Sequence, residues 1–364
     1  MKIESITLHN FRNYADESIL MGDGINIFYG ENAQGKTNIL EAVYLFSSAK
    51  SHRGAKDKEL IRFSSPEAQI SMKFYSQQRS QEAKMYFYQN KNKQLFINEI
   101  EQKKIKALLG IFSTVIFSPE DLELIKDGPE ARRRFLDTDI SQLRPNYYKI
   151  LKDYGRVLEM RNNLLKKEKI DKDLLEVYSM KLAKYGAKIM IHRQLFIDKM
   201  KQKAKEIYFF ISDKKEELSI SYRPSIDKTY ELKEKEIVPK LYEALSSGED
   251  ILRRSTLKGP HRDEVIFLID GKDAKSYCSQ GQQRSIVLSL KLAEFVFMEE
   301  VLGESPVLLL DDILSELDAK RREKLISFIK DNQTIITCTD KDFYYHLDKP
   351  FIARKIQNGR VIGK

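Results

Sequence analysis

Eight residues constrain this chain of 364 more than any others: Gly30-Glu31-Asn32-Ala33-Gln34-Gly35-Lys36-Thr37. They fit the pattern G-x-x-x-x-G-K-[ST], and each fixed position has a chemical reason. The two glycines let the backbone curl until its N–H groups point at one anion. A helix starting near Lys36 aims its positive end at the same place. The Lys36 ammonium then reaches the β- and γ-phosphates of ATP, and the Thr37 hydroxyl reaches Mg²⁺. The flanks agree: Ile25-Asn26-Ile27-Phe28-Tyr29 reads as a short strand before the run, and Asn38-Ile39-Leu40-Glu41-Ala42-Val43 as a helix after it. Gly30 through Asn38 is therefore the expected cofactor-binding segment, with Lys36 also serving catalysis.

A loop of this kind needs an acid to hold its magnesium. Leu308-Leu309-Leu310-Asp311-Asp312 ends an apolar run that reads as a buried parallel strand. Acids at the C-terminal end of such a strand lie where open α/β sheets bind ligands. Asp311 is the expected magnesium-side acid, acting with Thr37. Asp312 is the candidate to orient or deprotonate the attacking water.

Ser279-Gln280-Gly281-Gln282-Gln283-Arg284 precedes that strand and opens a helix. Ser279 can cap it, and Gly281 permits close backbone approach to a phosphate. Ser315-Glu316-Leu317-Asp318 follows the paired acids directly.

Around these motifs the chain changes character twice. The first third reads as strand-rich, with strands over 68–75, 84–88, 94–97 and 115–117 and a helix start at Ser118-Pro119-Glu120-Asp121. From about 129 to 246 it reads as mostly helical, with long stretches over 147–167 and 174–210. Strand and helix alternate again in the last third: strands over 264–269, 307–310 and 334–337, helices over 282–300 and 319–330. Asp270-Gly271 and Asn358-Gly359 signal hairpins. The expected fold is an α/β core from both chain ends, residues 1–118 and 255–364, with an inserted, mostly helical lobe over 119–254.

The formal net charge is +9, which favours an anionic partner. Two cysteines in no metal spacing argue against a zinc site. No apolar run approaches a membrane span, and the first residues lack a signal-peptide core, so a cytoplasmic protein with no membrane partner is expected.

The order of phosphate loop, Ser-x-Gly-Gln helix start, paired acids and Ser-x-Leu-Asp resembles the ABC-type ATPases. Closer still, it resembles the RecF family, the bacterial DNA-repair relatives of the SMC heads. Leu8-His9-Asn10-Phe11-Arg12-Asn13-Tyr14, Ser118 to Leu122 and Gly259-Pro260-His261-Arg262-Asp263 carry the resemblance besides the motifs above. It implies an ABC-type ATPase head with a mixed sheet and a helical second lobe. It also implies an ATP-driven homodimer, with ATP held between Gly30–Thr37 of one subunit and Ser279, Gly281 and Gln282 of the other. Arg12 would then sit beside the nucleotide and Asp318 near the subunit interface. Thr337 or Thr339 stands where transporter ATPases carry a switch histidine, and Asp312 where they carry glutamate. Both departures imply slow hydrolysis. Ser118-Pro119-Glu120 stands near the usual place of a metal-contacting glutamine. The implied partners are duplex DNA, single-strand/double-strand junctions, and RecR- and RecO-type repair proteins.

Two basic segments are candidates for DNA contact. One is the tract Lys181, Lys184, Lys188, Arg193, Lys199, Lys201, Lys203 and Lys205. The other is the loop Ser51-His52-Arg53-Gly54-Ala55-Lys56. Neither carries a base-reading element, so sequence-independent binding is expected. The alternatives are an ATPase subunit of another ABC-type system and a nucleotide-binding scaffold without turnover.

Overall fold

The structure is a computed structural model that describes residues 1–213, 215–226, 233–329, 332–339 and 350–362. The chain forms two compact units. One joins Met1–Leu122 to Val287–Lys364, and the other is Glu123–Ile286.

Burial explains the central sheet of the first unit. Thr114–Phe117, Val307–Asp311 and Thr334–Cys338 are buried at every residue, and Ile25–Tyr29 at all but the last. Strands of that kind need cover on both faces, which parallel sheets provide. They lie parallel in the order Phe351–Gln357, Ile25–Tyr29, Thr334–Cys338, Val307–Asp311, Thr114–Phe117. Arg360–Ile362 adds an antiparallel edge through the Asn358-Gly359 turn. Glu67–Ser76 instead buries alternate residues, Ala68, Ile70, Met72 and Phe74, the pattern of a strand with one covered face. It belongs to an antiparallel sheet with Lys2–Phe11, Tyr14–Leu20, Arg79–Tyr88, Gln94–Ile97 and Ile100–Glu101. One core holds side chains from both sheets and from the helix Lys36–Ser48, among them Ile6, Phe74, Leu45, Leu309 and Ile335. That helix follows the strand Ile25–Tyr29 directly, so the loop between them lies at the C-terminal edge of the parallel sheet.

The second unit holds the helices Pro129–Leu143, Pro145–Leu165, Lys172–Ile211 and Glu234–Leu245. Proline opens the first two, where its missing N–H costs nothing. Asp171 caps the third by accepting from the Leu174 N–H at 3.0 Å. A three-stranded antiparallel sheet, Leu218–Arg223, Glu264–Ile269 and Lys272–Asp273, completes this unit.

The middle of the chain is mostly helical, as the sequence predicts, and also contains Leu218–Arg223, a strand with alternate burial. Its pairing with Glu264–Ile269 places 255–286 in the second unit, so the division falls at 122/123 and 286/287 rather than 118/119 and 254/255. Ser118 precedes a 3₁₀ turn, Pro119–Leu122, that continues directly into the short helix Glu123–Lys126, as the sequence predicts, and its backbone N–H donates to Asp121 Oδ2 at 2.7 Å. The helix over 319–330 is described as Ala319–Phe328, and Lys330 lies outside the described residues. Among the described residues, no helix is long and apolar enough to cross a membrane.

Candidate nucleotide site

The loop Gly30–Thr37 has the backbone the sequence requires. Gly30, Ala33 and Gly35 all have positive φ, 148°, 64° and 114°. Only glycine fits the two ends. A Cβ on Gly30 would lie 2.4 Å from the Ile356 carbonyl oxygen, and one on Gly35 would lie 2.6 Å from the Asn13 side chain. Lys36 folds back over this cradle and donates to the carbonyls of Gly30 and Glu31, at 2.6 and 2.9 Å. Burial lowers the Lys36 pKa, against the pull of Asp312, Cys338 and Asp311. Glu31, Asn32 and Ala33 form the exposed crest of the loop.

Distant residues brace the loop. The Asn13 amide donates to the Gln34 carbonyl at 2.8 Å and accepts from Asn38 at 2.8 Å. The Tyr14 hydroxyl donates to the Gly35 carbonyl at 3.0 Å. From the C-terminal hairpin, the Asn358 N–H donates to Gln34 Oε1 at 2.7 Å and the Gly359 N–H to the Gln34 carbonyl at 3.1 Å. The sequence signal for these braces was the motif Leu8 to Tyr14 and the Asn-Gly turn, but neither pointed at the loop.

Asp311 gathers the rest of the site. Its Oδ1 accepts from the Thr37 hydroxyl at 2.9 Å and the Thr337 hydroxyl at 2.7 Å. Hydroxyl and carboxylate oxygens are hard donors that suit Mg²⁺, an ion that takes its remaining ligands from water and phosphate. Thr37 and Asp311 are thus the residues that could hold it. Thr337, rather than the exposed Thr339, meets the paired acids: its hydroxyl oxygen also accepts the Asp312 N–H at 3.0 Å. Asp312 is left-handed, φ 51°, and half-buried. Burial raises its carboxyl pKa, Lys36 and a Ser315 hydrogen bond oppose the rise, and Asp311 adds to it.

Arg12 also has a positive φ, 54°, and grips Glu41 with two hydrogen bonds, at 2.8 and 2.7 Å. Its third bond goes to the Glu59 carbonyl. Ser51 donates to the same Glu41 at 2.5 Å. His52 packs edge-on against Tyr44, ring centroids 5.5 Å apart. Its ring nitrogens are buried without a hydrogen-bond partner among the described residues. Burial lowers its pKa, while Glu41, Asp311 and Glu120 pull it upward. His52 and Ser51 therefore turn inward, and the expected DNA-facing loop is reduced to its exposed members, Arg53, Gly54 and Lys56.

The helix-start motif belongs to the second unit. Ser279 and Gln282 form a reciprocal capping box: the Ser279 hydroxyl oxygen accepts the Gln282 N–H at 3.3 Å, and Gln282 Oε1 accepts the Ser279 N–H at 2.7 Å. Ser279 is exposed and Gly281 half-exposed, so the start of the helix Gln280–Leu302 is accessible. In the first unit, Asp318 caps Ala319–Phe328 through the Arg321 N–H at 2.9 Å and pairs with the Arg321 guanidinium.

The basic tract on Lys172–Ile211 is also corrected. Arg193 is buried, held by Asp137 at 2.9 Å and by the Pro260 carbonyl at 2.6 Å. It is therefore part of the core and not of a charged face. Lys181, Lys184, Lys199 and Lys201 are exposed, as is Lys188, 3.7 Å from Glu234.

A phosphate loop at the C-terminal edge of a parallel sheet, with a hydroxyl and an acid converging beside it and both chain ends in one unit, defines an ATPase head of the ABC/SMC class. The family model described as RecF/RecN/SMC N terminal domain matches residues 2–361. A DNA replication and repair protein RecF from Clostridium perfringens is 41% identical, with 99% of both chains covered. One from Halothermothrix orenii is 43% identical over 99% of this chain and 98% of its own. Among solved structures, the recombination mediator protein RecF-ATP in the RecFOR pathway has a TM-score of 0.92 at 38% identity, covering 99% of this chain and 96% of that one. An Smc head domain from Pyrococcus furiosus, 16% identical with a TM-score of 0.58, shares the fold. The chain belongs to the RecF family of DNA replication and repair proteins.

Proposed function

We propose that this chain binds ATP and Mg²⁺, dimerises when it does so, and clamps duplex DNA or single-strand/double-strand junctions without reading sequence. The observation that carries the reading is the convergence of Thr37 and Thr337 on Asp311 Oδ1, beside a curled loop and a folded-back lysine. On binding, Lys36 exchanges the Gly30 and Glu31 carbonyls for phosphate oxygens. Thr37 and Asp311 hold Mg²⁺, which supplies positive charge to the transferred phosphoryl group. Asp312, made more basic by burial, orients the attacking water and takes its proton. The second side of the nucleotide is Ser279, Gly281 and Gln282 of a partner copy. Hydrolysis is slow, because threonine and aspartate stand where transporters use histidine and glutamate, and the clamped DNA stimulates it.

Its biological place is recombinational repair and replication restart in the cytoplasm, helping to load a recombinase with RecO- and RecR-type proteins. A relative in the RecFOR pathway supports this reading. ATP turnover measured with and without duplex DNA tests it. Wild type is expected to turn over slowly and faster with DNA, while Lys36→Ala and Asp312→Asn lose turnover. Turnover that ignores DNA, or survives in Asp312→Asn, contradicts it.

A further inference from the structure

The second unit contains a cleft of about 570 Å³ that the nucleotide site does not use. Three guanidiniums, Arg133, Arg134 and Arg262, line it beside the start of the helix Pro129–Leu143. That helix begins after Gly128, which offers no side chain to cap its first N–H groups, so its positive end stays open. Arg134 and Arg262 are exposed. Arg134 has no hydrogen bond or ion pair among the described residues. The Arg262 guanidinium comes only within 3.5 Å of the Thr256 carbonyl, at the limit of a hydrogen bond. Arg133 gives one N–H to the Asp263 carbonyl at 2.8 Å.

The turn that carries Arg262 is fixed from every side. Gly259 has φ 127°, and a Cβ there would lie 2.5 Å from the Tyr154 hydroxyl. That hydroxyl donates to His261 Nδ1 at 2.6 Å, and His261 Nε2 donates to the Thr256 carbonyl at 3.0 Å. Arg193 holds the Pro260 carbonyl, and Asp263 accepts from Tyr222 and from the Ser225 N–H. Arg262 is left facing solvent from a rigid base.

We infer that this cleft seats a backbone phosphate of DNA, gripped by Arg134 and Arg262 with the open helix end behind it. Planar guanidiniums match a phosphate's paired oxygens, and such contacts position DNA without reading its bases. Glu123, Asp127 and Glu130 line the same cleft and balance the three guanidiniums, so its formal side-chain charge is zero and the grip comes from the Arg134 and Arg262 donors and the open helix end. That balance suits a phosphodiester, with one charge, better than free phosphate, which carries between one and two near neutral pH. The inference rests on the proposed DNA binding.

The test is fluorescence anisotropy of the full chain with ATP and a labelled duplex, across a salt series. Losing two phosphate contacts flattens the salt slope by about 1.8, so the wild-type advantage over Arg134→Ala/Arg262→Ala shrinks about 12-fold between about 50 and 200 mM salt. Glu130→Gln should bind DNA more tightly than wild type, and ATP affinity should be unchanged in both variants. A double variant with wild-type affinity and slope overturns the inference while leaving DNA binding intact. A wild type that binds no DNA overturns the proposed function instead. Inorganic phosphate titrated alone separates the sources: saturation below millimolar concentration that the double variant abolishes, with DNA affinity unaltered, assigns the cleft to free phosphate. Unaltered DNA binding with loss of an acidic protein partner assigns it to protein.

Discussion

Arg12 and Glu41 form a two-point ion pair, 2.8 Å from Nε to Oε2 and 2.7 Å from Nη2 to Oε1, with the Glu41 side chain wholly buried. Burial alone would raise the Glu41 pKa, but the hydrogen bonds from Arg12 and Ser51 outweigh it and lower the value. Arg12 thus has a structural role in holding Glu41, whatever it does beside ATP.

Removing one partner of such a pair leaves the other charge buried, at about 3–5 kcal/mol. Arg12→Ala should lower the melting temperature without any nucleotide, and Arg12→Ala/Glu41→Leu should regain much of the loss. Equal melting of wild type and Arg12→Ala would show that the guanidinium matters only to the ligand.

Thr337→Val removes one hydroxyl from Asp311 Oδ1 and an acceptor from the Asp312 N–H. A loss of about 1–2 kcal/mol in acid positioning corresponds to roughly 10-fold in kcat, with KM for ATP little changed. Steady-state kinetics in Mg²⁺ separates the two. A raised KM at constant kcat would place Thr337 in binding instead.

Gly359 and Gly271 both sit in hairpin turns, with φ 67° and 77°. A Cβ on Gly359 would meet the Asn13 carbonyl oxygen at 2.4 Å, whereas one on Gly271 meets nothing within 4 Å. Alanine at 271 should cost only the backbone strain, about 1 kcal/mol, and leave ATP affinity alone. Alanine at 359 should cost more and also weaken ATP binding, since Asn13 and the hairpin both hold Gln34. Chemical denaturation and nucleotide titration of the two variants check this. Identical effects would deny the brace its role.

His261 has its pKa lowered from 6.5 to about 4, chiefly by burial, with Arg262 and Arg133 adding and Thr256 and Asp250 opposing. A depressed folded-state pKa gives stability that is complete above about 6.5 and lost as pH falls toward 4, here at most roughly 3 kcal/mol. Wild type should lose stability over that window more steeply than His261→Gln. Parallel stability curves for the two would remove His261 from the acid transition.

Local chemistry made much of the site legible. The loop 30–37 and the acids after 307–310 are contiguous patterns, and Ser279 with Gln282 is a capping box at fixed spacing. Residues that act across the chain were harder to see. Asn358 and Gly359 support Gln34 from more than 300 positions away, which no local pattern encodes. Arg193 was assigned by its charge, but its place on the buried stripe Gly186, Ile189, Met190, Phe196, Ile197, Met200 was the available signal. His52 had no such signal: a polar loop composition does not reveal a ring turned inward onto Tyr44. The strand Leu218–Arg223 alternates cleanly, yet short strands after a 40-residue helix are easily read as its continuation.

In the proposed dimer two copies build each ATP site, one giving Lys36 and the other Gly281. Mixing Lys36→Ala with Gly281→Glu tests this, because a two-fold heterodimer of the two contains one intact composite site. Neither variant alone should turn over ATP, and the equimolar mixture with DNA should recover roughly a quarter of wild-type turnover by random pairing. A mixture as inactive as its components, although both variants are folded and form mixed dimers, would contradict the shared site.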